Sequence, residues 1–503
     1  MITRLALSTP FALFLAVAAT LPLRAATAAR PNVLFIIADD ASRHFGEAYG
    51  CIWVKTPNID RLAKHGLVFD HAYTPTSKCA PSRAAILTGR NPWQLEEAAN
   101  HQPRFPAKFM AFSEALAQAG IACGSAGKTW GPGEAKHADG TPRNFALRGN
   151  GSVNDRDPGG ALRAFLNTRT PGQPFFYWFG SKYPHRGYPP DSGLAAGKKP
   201  TDIDRVPAYW PDNDVVRRDM LDYAVEVEAY DAQIGALLAA LEESDETKNT
   251  LIIVTSDHGM PFPRVKGHTY DDAHHIPFIV SWPGRVAQPG RRVADLISFI
   301  DLAPTLLEVF GVNGTAQGMA PITGRSFTDL LGGAAQVSRE FVLVGRERND
   351  VLARPGSFAG LGYPARAIRS GSFFYVQNFA PDRWPCGNPE LGLKDTDASP
   401  SKTLVTARGE ADPFWQHAYG KRPAEQLFDL STDPDCVVNL ATNPSFATKA
   451  AALRGQLTAE LKRQQDPRTL GQGDLFDHYP SPRVTSGAEP ARPRGKPLPT
   501  PQR

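Results

Sequence analysis

The chain has 503 residues, and its 55 Lys plus Arg stand against 51 Asp plus Glu for a formal net charge of +4. That near balance, spread without a long basic run, argues against a nucleic-acid partner. A hydrophobic fraction of 42% and a charged fraction of 21% are ordinary for a soluble globular protein with room for two or three domains.

Residues 1–29 read as a cleaved export signal. MITR supplies a positive start, LALSTPFALFLAVAATLPL an apolar stretch, and AATAA the small residues that suit cleavage near Ala28 or Ala29. Pro10 and Pro22 favour cleavage over a retained anchor. No later stretch has the ~18 apolar residues of a membrane span. The mature chain is therefore expected to be periplasmic or secreted, with no membrane contact after signal cleavage. Cys51, Cys79, Cys123, Cys386 and Cys436 are an odd number for an oxidising compartment. One thiol is unpaired or consumed by other chemistry, and the other four allow up to two bridges.

The next segment, PNVLFIIADD, is an apolar, β-branched run that ends in Asp39 and Asp40, as a buried parallel strand does at its carboxyl end. TPNIDRLAKHG has helical spacing. FSEALAQAG is a helix with Ser113 as cap and Gly120 as stop. IACGSAGK and PFFYWFGSKYPH are strands running into Lys128 and His185. VVRRDMLDYAVEVEAYDAQIGALLAALEE is a long amphipathic helix, and TLIIVTSDHG a strand ending in Asp257 and His258. PFIVSWPG and the helix DLAPTLLEVFG follow. This alternation predicts an α/β fold, a doubly wound and mostly parallel sheet over 30–335. Such folds bind ligands outside the carboxyl ends of their strands, where these polar clusters fall.

From about 336 the pattern changes. EFVLVGRE, RAIRSGSFFYVQNF and EQLFDL read as short antiparallel strands, and FATKAAALRGQLTAELKRQQ as a closing helix. Residues 336–465 thus form a smaller C-terminal α+β domain. The Pro-, Gly- and Arg-rich stretch 466–503 reads as a disordered tail.

Two carboxylates side by side at a strand end repel each other unless a hard cation sits between them, and oxygen ligands suit calcium or magnesium. Asp257-His258, at the end of a second strand, completes a four-residue metal cage with Asp39 and Asp40. Cys79, in SKCAPSRAAILTGR, stands just before Pro81, a residue suited to a first helical turn. A helix N-terminus is an anion site, and Arg83 adds a guanidinium.

C-A-P-S-R-A-A-I-L-T-G-R matches the sulfatase signature C-x-P-S-R-x4-T-G. From about Asn32 to about Ala441 the chain resembles a type I, formylglycine-dependent sulfatase of the alkaline-phosphatase superfamily. The resemblance implies that a maturation enzyme oxidises Cys79 to formylglycine (3-oxoalanine). The aldehyde hydrates; one hydroxyl attacks sulfur to form a covalent sulfate ester, and the other expels sulfate. A serine would be left as a stable ester.

By the same resemblance Asp39, Asp40, Asp257 and His258, with the residue at 79, bind one Ca2+, although many members carry Asn where His258 stands. Arg83 steadies the formylglycine, Lys128 and Lys266 contact sulfate oxygens, and His185 protonates the leaving group. The sequence departs from the family twice. Trp130 replaces the histidine of G-K-x-H, with His137 nearby, and Ile276 replaces an arginine before Pro277, with His274 and His275 just upstream. DHGMPFPR, PHR at His185 and RRDMLDYAVEVEAYDAQIG resemble the N-sulfoglucosamine sulfohydrolases (heparan N-sulfatases). That subgroup implies a sulfated glycan as substrate. His101, Arg346, Glu347, Arg348, Asn349, Asp382 and Arg383 are candidates for holding the sugar, while GRERND also reads as a charged surface turn. Two alternatives stand beside this reading, a phosphonate or phosphate monoester hydrolase and a catalytically silent glycan-binding relative.

Overall fold

The structure is a computed structural model and describes residues 30–147, 149, 156–333, 339–356 and 360–482. The expected signal segment, the 335/336 boundary and residues 483–503 of the expected tail lie outside the described residues.

The central strand β1 (Asn32–Ala38) is buried along its whole length. Val33, Phe35 and Ile37 join one apolar cluster and Leu34, Ile36 and Ala38 another, one on each face of the sheet. Burial on both faces is why NVLFIIA reads as an unbroken apolar run instead of an alternating one. With β2 (Leu67–Tyr73), β3 (Ala122–Gly127), β4 (Phe175–Gly180), β5 (Thr250–Ser256), β6 (Phe278–Ser281) and β7 (Arg292–Ser298), the order across the sheet is β7-β2-β6-β5-β1-β4-β3. A short eighth strand, His275–Ile276, pairs with β2. The pairs β1–β4, β1–β5, β3–β4 and β7–β2 are parallel, and β6 runs antiparallel to both its neighbours.

Helices cover both faces. α1 (Pro57–His65), α4 (Pro158–Thr168) and the 30-residue α5 (Asp214–Glu243) share the cluster of Leu34 and Ile36. α2 (Cys79–Thr88), α3 (Phe112–Gln118) and α6 (Leu302–Phe310) share that of Phe35. This is the doubly wound α/β fold expected. β2 and β7 were not anticipated, because Asp70, His71, Arg292 and Asp295 interrupt their apolar pattern. α3 also begins two residues earlier than a cap at Ser113 would place it, with Ala111 as its N-cap. Its capping contact is the Glu114 carboxylate accepting from the Ala111 N–H at 2.8 Å, while Ser113 lies inside the helix and donates to the Phe145 carbonyl.

The C-terminal sheet is antiparallel, in the order β8 (Phe341–Arg346), β9 (Ala365–Ser370), β10 (Phe373–Asn378), β11 (Glu425–Asp429). α7 (Ala447–Arg463) packs Leu453, Leu457 and Leu461 against it. Residues 466–482 correct the tail expectation. Asp466 is fully buried and pairs with Arg366 at 2.9 Å, Arg468 pairs with Glu347 at 2.6 Å, and Phe476 is in the core. Composition hid three anchoring side chains among flexible-looking neighbours. All five cysteines are free and buried, so the two bridges that four of them allowed are not formed. Among the described residues, no helix is long and apolar enough to cross a membrane.

Candidate active site

The site lies where β1, β5 and the start of α2 meet, outside the carboxyl ends of the strands. Asp40 takes a left-handed conformation (φ 74°), which Asp tolerates better than most side chains. Its N–H donates to the Asp257 carboxylate at 3.1 Å, and the Asp257 N–H donates to the Ala38 carbonyl at 3.3 Å, so the two strand ends are tied together. Lys128 reaches the site because β3 and β4 come unusually close where they end. A Cβ on Gly180 would lie 1.6 Å from the Lys128 carbonyl oxygen, and only glycine permits that approach. Cys79 is the first residue of α2, beside that helix's unpaired N–H groups, and is 2% exposed.

These elements bring the expected metal ligands together. Cys79 Sγ lies 3.3 Å from His258 Nε2 and 4.0 Å from Asp40 Oδ1, and His258 Nε2 is 3.2 Å from Asp40 Oδ1. Donor atoms of Asp40, Cys79 and His258, and of Asp39, Cys79 and Asp257, lie within 4.8 Å of one another in each trio. Three carboxylates and one imidazole around a point are a hard, oxygen-rich donor set, and the residues present fit a calcium-type cation.

The expected cations surround the acids. Arg83, fully buried, holds Asp257 at 2.9 Å, lies 3.5 Å from Asp39, and donates to the Lys128, Thr129 and Ala38 carbonyls. Lys128 bonds both oxygens of Asp39 at 2.7 Å, and Lys266 bonds Asp40 at 2.6 Å. Burial works against charge on both lysines, but Asp39 on Lys128 and Asp40 on Lys266 outweigh it and hold them protonated. Burial likewise opposes ionisation of Asp257, and the charges of His258, Arg83 and Lys128 reverse that and hold it well below the usual carboxylate range. The thiol of Cys79 is pushed far up by burial. His185 stands at the mouth, 42% exposed, its Nε2 3.9 Å from Asp40.

Other expected residues have different places. Trp130 packs edge-on against Phe105 and its indole N–H donates to the Ala80 carbonyl at 3.0 Å, over the first turn of α2. His274 and His275 are buried, so neither faces solvent. His274 bonds the Thr74 carbonyl, and His275 pairs with Asp271 while stacking on Tyr73. GRERND is not a surface turn, since Arg346, Glu347, Arg348 and Asn349 are all at most 5% exposed. Arg346 donates to the Pro385 carbonyl, Arg348 to the Tyr479 carbonyl, and Arg383 pairs with Asp477 at 3.2 Å. Asn349 touches the site's edge through the Gly267 carbonyl, Asp382 is exposed, and His101 lies within electrostatic reach of Lys78, Lys266 and Lys128.

Two residues at the site were missed. Lys78 is buried and donates to the Asp395 carbonyl at 3.4 Å; its position beside Cys79 was a signal. Asp397 pairs with Lys266 at 2.9 Å, and nothing in its local sequence marks it.

Residues 31–312 match the Sulfatase family model, and the chain belongs to that family. It is 28% identical to human N-sulphoglucosamine sulphohydrolase, over 90% of this chain and 94% of that protein. It is 27% identical to an ulvan-active sulfatase of Formosa agariphila, over 89% of this chain and 77% of that one. The phosphonate monoester hydrolase of Agrobacterium radiobacter has the same fold, with a TM-score of 0.62 at 18% identity over 88% of this chain and 97% of that one. The protein is a sulfatase with an alkaline-phosphatase-like fold.

Proposed function

We propose that this sulfatase is exported to the periplasm or secreted and removes sulfate from glycans, from the nitrogen of N-sulfoglucosamine in heparan-type saccharides above all. A maturation enzyme would first convert Cys79 to formylglycine. The observation that carries the chemistry is the convergence of Asp39, Asp40, Asp257 and His258 on Cys79. The substrate reading is supported by similarity to human N-sulphoglucosamine sulphohydrolase along 94% of that protein, C-terminal sheet included.

Asp39, Asp40, Asp257 and His258 would hold Ca2+, which supplies Lewis-acid polarisation of oxygens. Formylglycine supplies a nucleophile with its own means of releasing sulfate. The chain's own residues do the rest. Arg83, locked by Asp257 and three carbonyls, fixes the first turn of α2 and faces the residue at 79 with a positive charge. Lys128 and Lys266 are pre-oriented cations for the sulfate oxygens, where negative charge must be stabilised. His185, exposed at the mouth, donates a proton to the departing nitrogen or oxygen. Trp130 cannot act as a base there, because an indole N–H only donates and this one is already bonded.

The test compares N-sulfoglucosamine, 6-O-sulfated N-acetylglucosamine, 4-nitrophenyl sulfate and a phenyl phosphonate as substrates. The expected order places N-sulfoglucosamine first and the phosphonate last. Preference for the 6-O-sulfate would refute the substrate reading, and preference for the phosphonate would refute sulfate chemistry. Chelation should abolish turnover and added calcium restore it, with folding followed by circular dichroism.

A further inference from the structure

Asp397 is an acid in a site whose task is to bind an anion, and it stands outside the proposed metal cage. It lies on the loop before Pro400, beyond the C-terminal strand β10. One of its oxygens pairs with Lys266 Nζ at 2.9 Å, and the same nitrogen holds Asp40 Oδ2 at 2.6 Å. That Asp40 oxygen is 3.9 Å from His185 Nε2. Asp397, Lys266, Asp40 and His185 therefore form one connected row from the buried cage to the mouth. Asp40 is 0% exposed at its side chain and Asp397 28%, so the row opens outward at Asp397. Oδ2, the oxygen that faces Lys266, is buried and makes no hydrogen bond among the described residues, so it is left to accept one from a bound molecule. Lys266 and Lys78 hold the group ionised against its burial, with His185 contributing from the leaving-group side.

From this geometry we infer that Asp397 is a specificity-determining residue, which accepts a hydrogen bond from a neutral donor, a hydroxyl, on the ring carbon adjacent to the one that bears the sulfated atom. An ionised carboxylate rewards a donor and repels a second sulfate or a uronate at the same place, so it selects by both attraction and rejection. This rests on the substrate reading proposed above and adds which neighbouring substituent the site admits.

The experiment measures kcat/KM for wild type and Asp397→Asn on three substrates. These are N-sulfoglucosamine, the same sugar with a second sulfate on the adjacent 3-oxygen, and 4-nitrophenyl sulfate, which has no neighbouring donor. Wild type should favour the monosulfated sugar. In the variant that preference should fall by about tenfold or more, the scale of one charge-assisted hydrogen bond; 4-nitrophenyl sulfate, which reads only the shared change at Lys266, should lose several-fold less than N-sulfoglucosamine. An equal loss on all three substrates would overturn the inference and leave Asp397 as a counter-ion of Lys266. Wild-type enzyme that hydrolyses 4-nitrophenyl sulfate but neither sugar would overturn the substrate reading itself, and the inference with it. Thermal melting of both proteins separates these outcomes from misfolding.

Discussion

Around Cys79, Asp39, Asp40 and Asp257 meet Arg83, Lys128 and Lys266; against the C-terminal sheet, Asp466 and Glu347 meet Arg366 and Arg468. Both groups of ions are buried and nearly balanced in charge. In the second, Arg366 grips Asp466 with two nitrogens at 2.9 and 3.1 Å, bonds Glu347 at 2.7 Å, donates to the Arg346 and Ala365 carbonyls, and lies over Trp93. Arg468 takes both oxygens of Glu347. Every nitrogen of Arg366 faces an acceptor, and each acid of the cluster is held by an arginine. In the first, the cations hold the acids from outside while acid oxygens and an imidazole still converge on one sulfur atom. Burial and ion pairing alone do not mark a catalytic centre. Convergence of like-charged donor atoms on one point does, because folding alone gives no reason to accept that repulsion.

Four experiments test the difference between the two clusters. Cys79→Ala should lower kcat by at least about 10³-fold, the scale of losing a nucleophile, with an unchanged melting temperature; retained turnover would remove Cys79 from the chemistry.

Arg83→Ala and Arg366→Ala each leave buried carboxylates unpaired, and each should cost about 3–5 kcal/mol in denaturant unfolding. They should part in kinetics. The Arg366 variant keeps its kcat per folded molecule, and the Arg83 variant loses it. Equal kinetic losses would erase the distinction between the two clusters.

The third experiment concerns pH. Burial pushes His44 and His274 down from 6.5 to about 4. The unfolded chain therefore binds more protons than the folded one below pH 6.5, and stability present above that pH is lost as pH falls toward 4. Each group accounts for about 3 kcal/mol once fully titrated. His44→Gln should flatten the fall of melting temperature between pH 7 and pH 4.5, and an unchanged slope would show that His44 is not buried neutral. The smallest effect belongs to Trp130→Phe, which removes the bond to the Ala80 carbonyl. It should cost about 1 kcal/mol and change kcat by under about threefold. A hundredfold drop would give Trp130 a chemical role.

Much of the site was legible because its residues stand at strand ends or inside a long signature. Asp39-Asp40 and Asp257-His258 each close an apolar run, Lys128 follows a glycine-ended strand, and Cys79 opens a helix whose first turn carries Pro81. Asp397 and Lys78 were not found, and Arg346 and Arg383 were given places at the sugar while one nitrogen of each serves the Pro385 carbonyl or Asp477. A cation in a loop looks the same in sequence whether it faces solvent, substrate or a carbonyl.

Local pattern was enough for five of the seven strands of the central sheet, most of its flanking helices and the polar groups at its carboxyl ends, since hydrophobic period and strand length are local properties; β2 and β7, interrupted by charged residues, escaped it. Which charges meet was settled by packing between remote segments. That packing closed Arg366 upon Asp466, a hundred residues apart, and set Asp397 against Lys266, 131 residues before it. The reason is physical. Partner choice among buried ions depends on distances of a few ångström between remote segments, and those distances exist only once the core has packed.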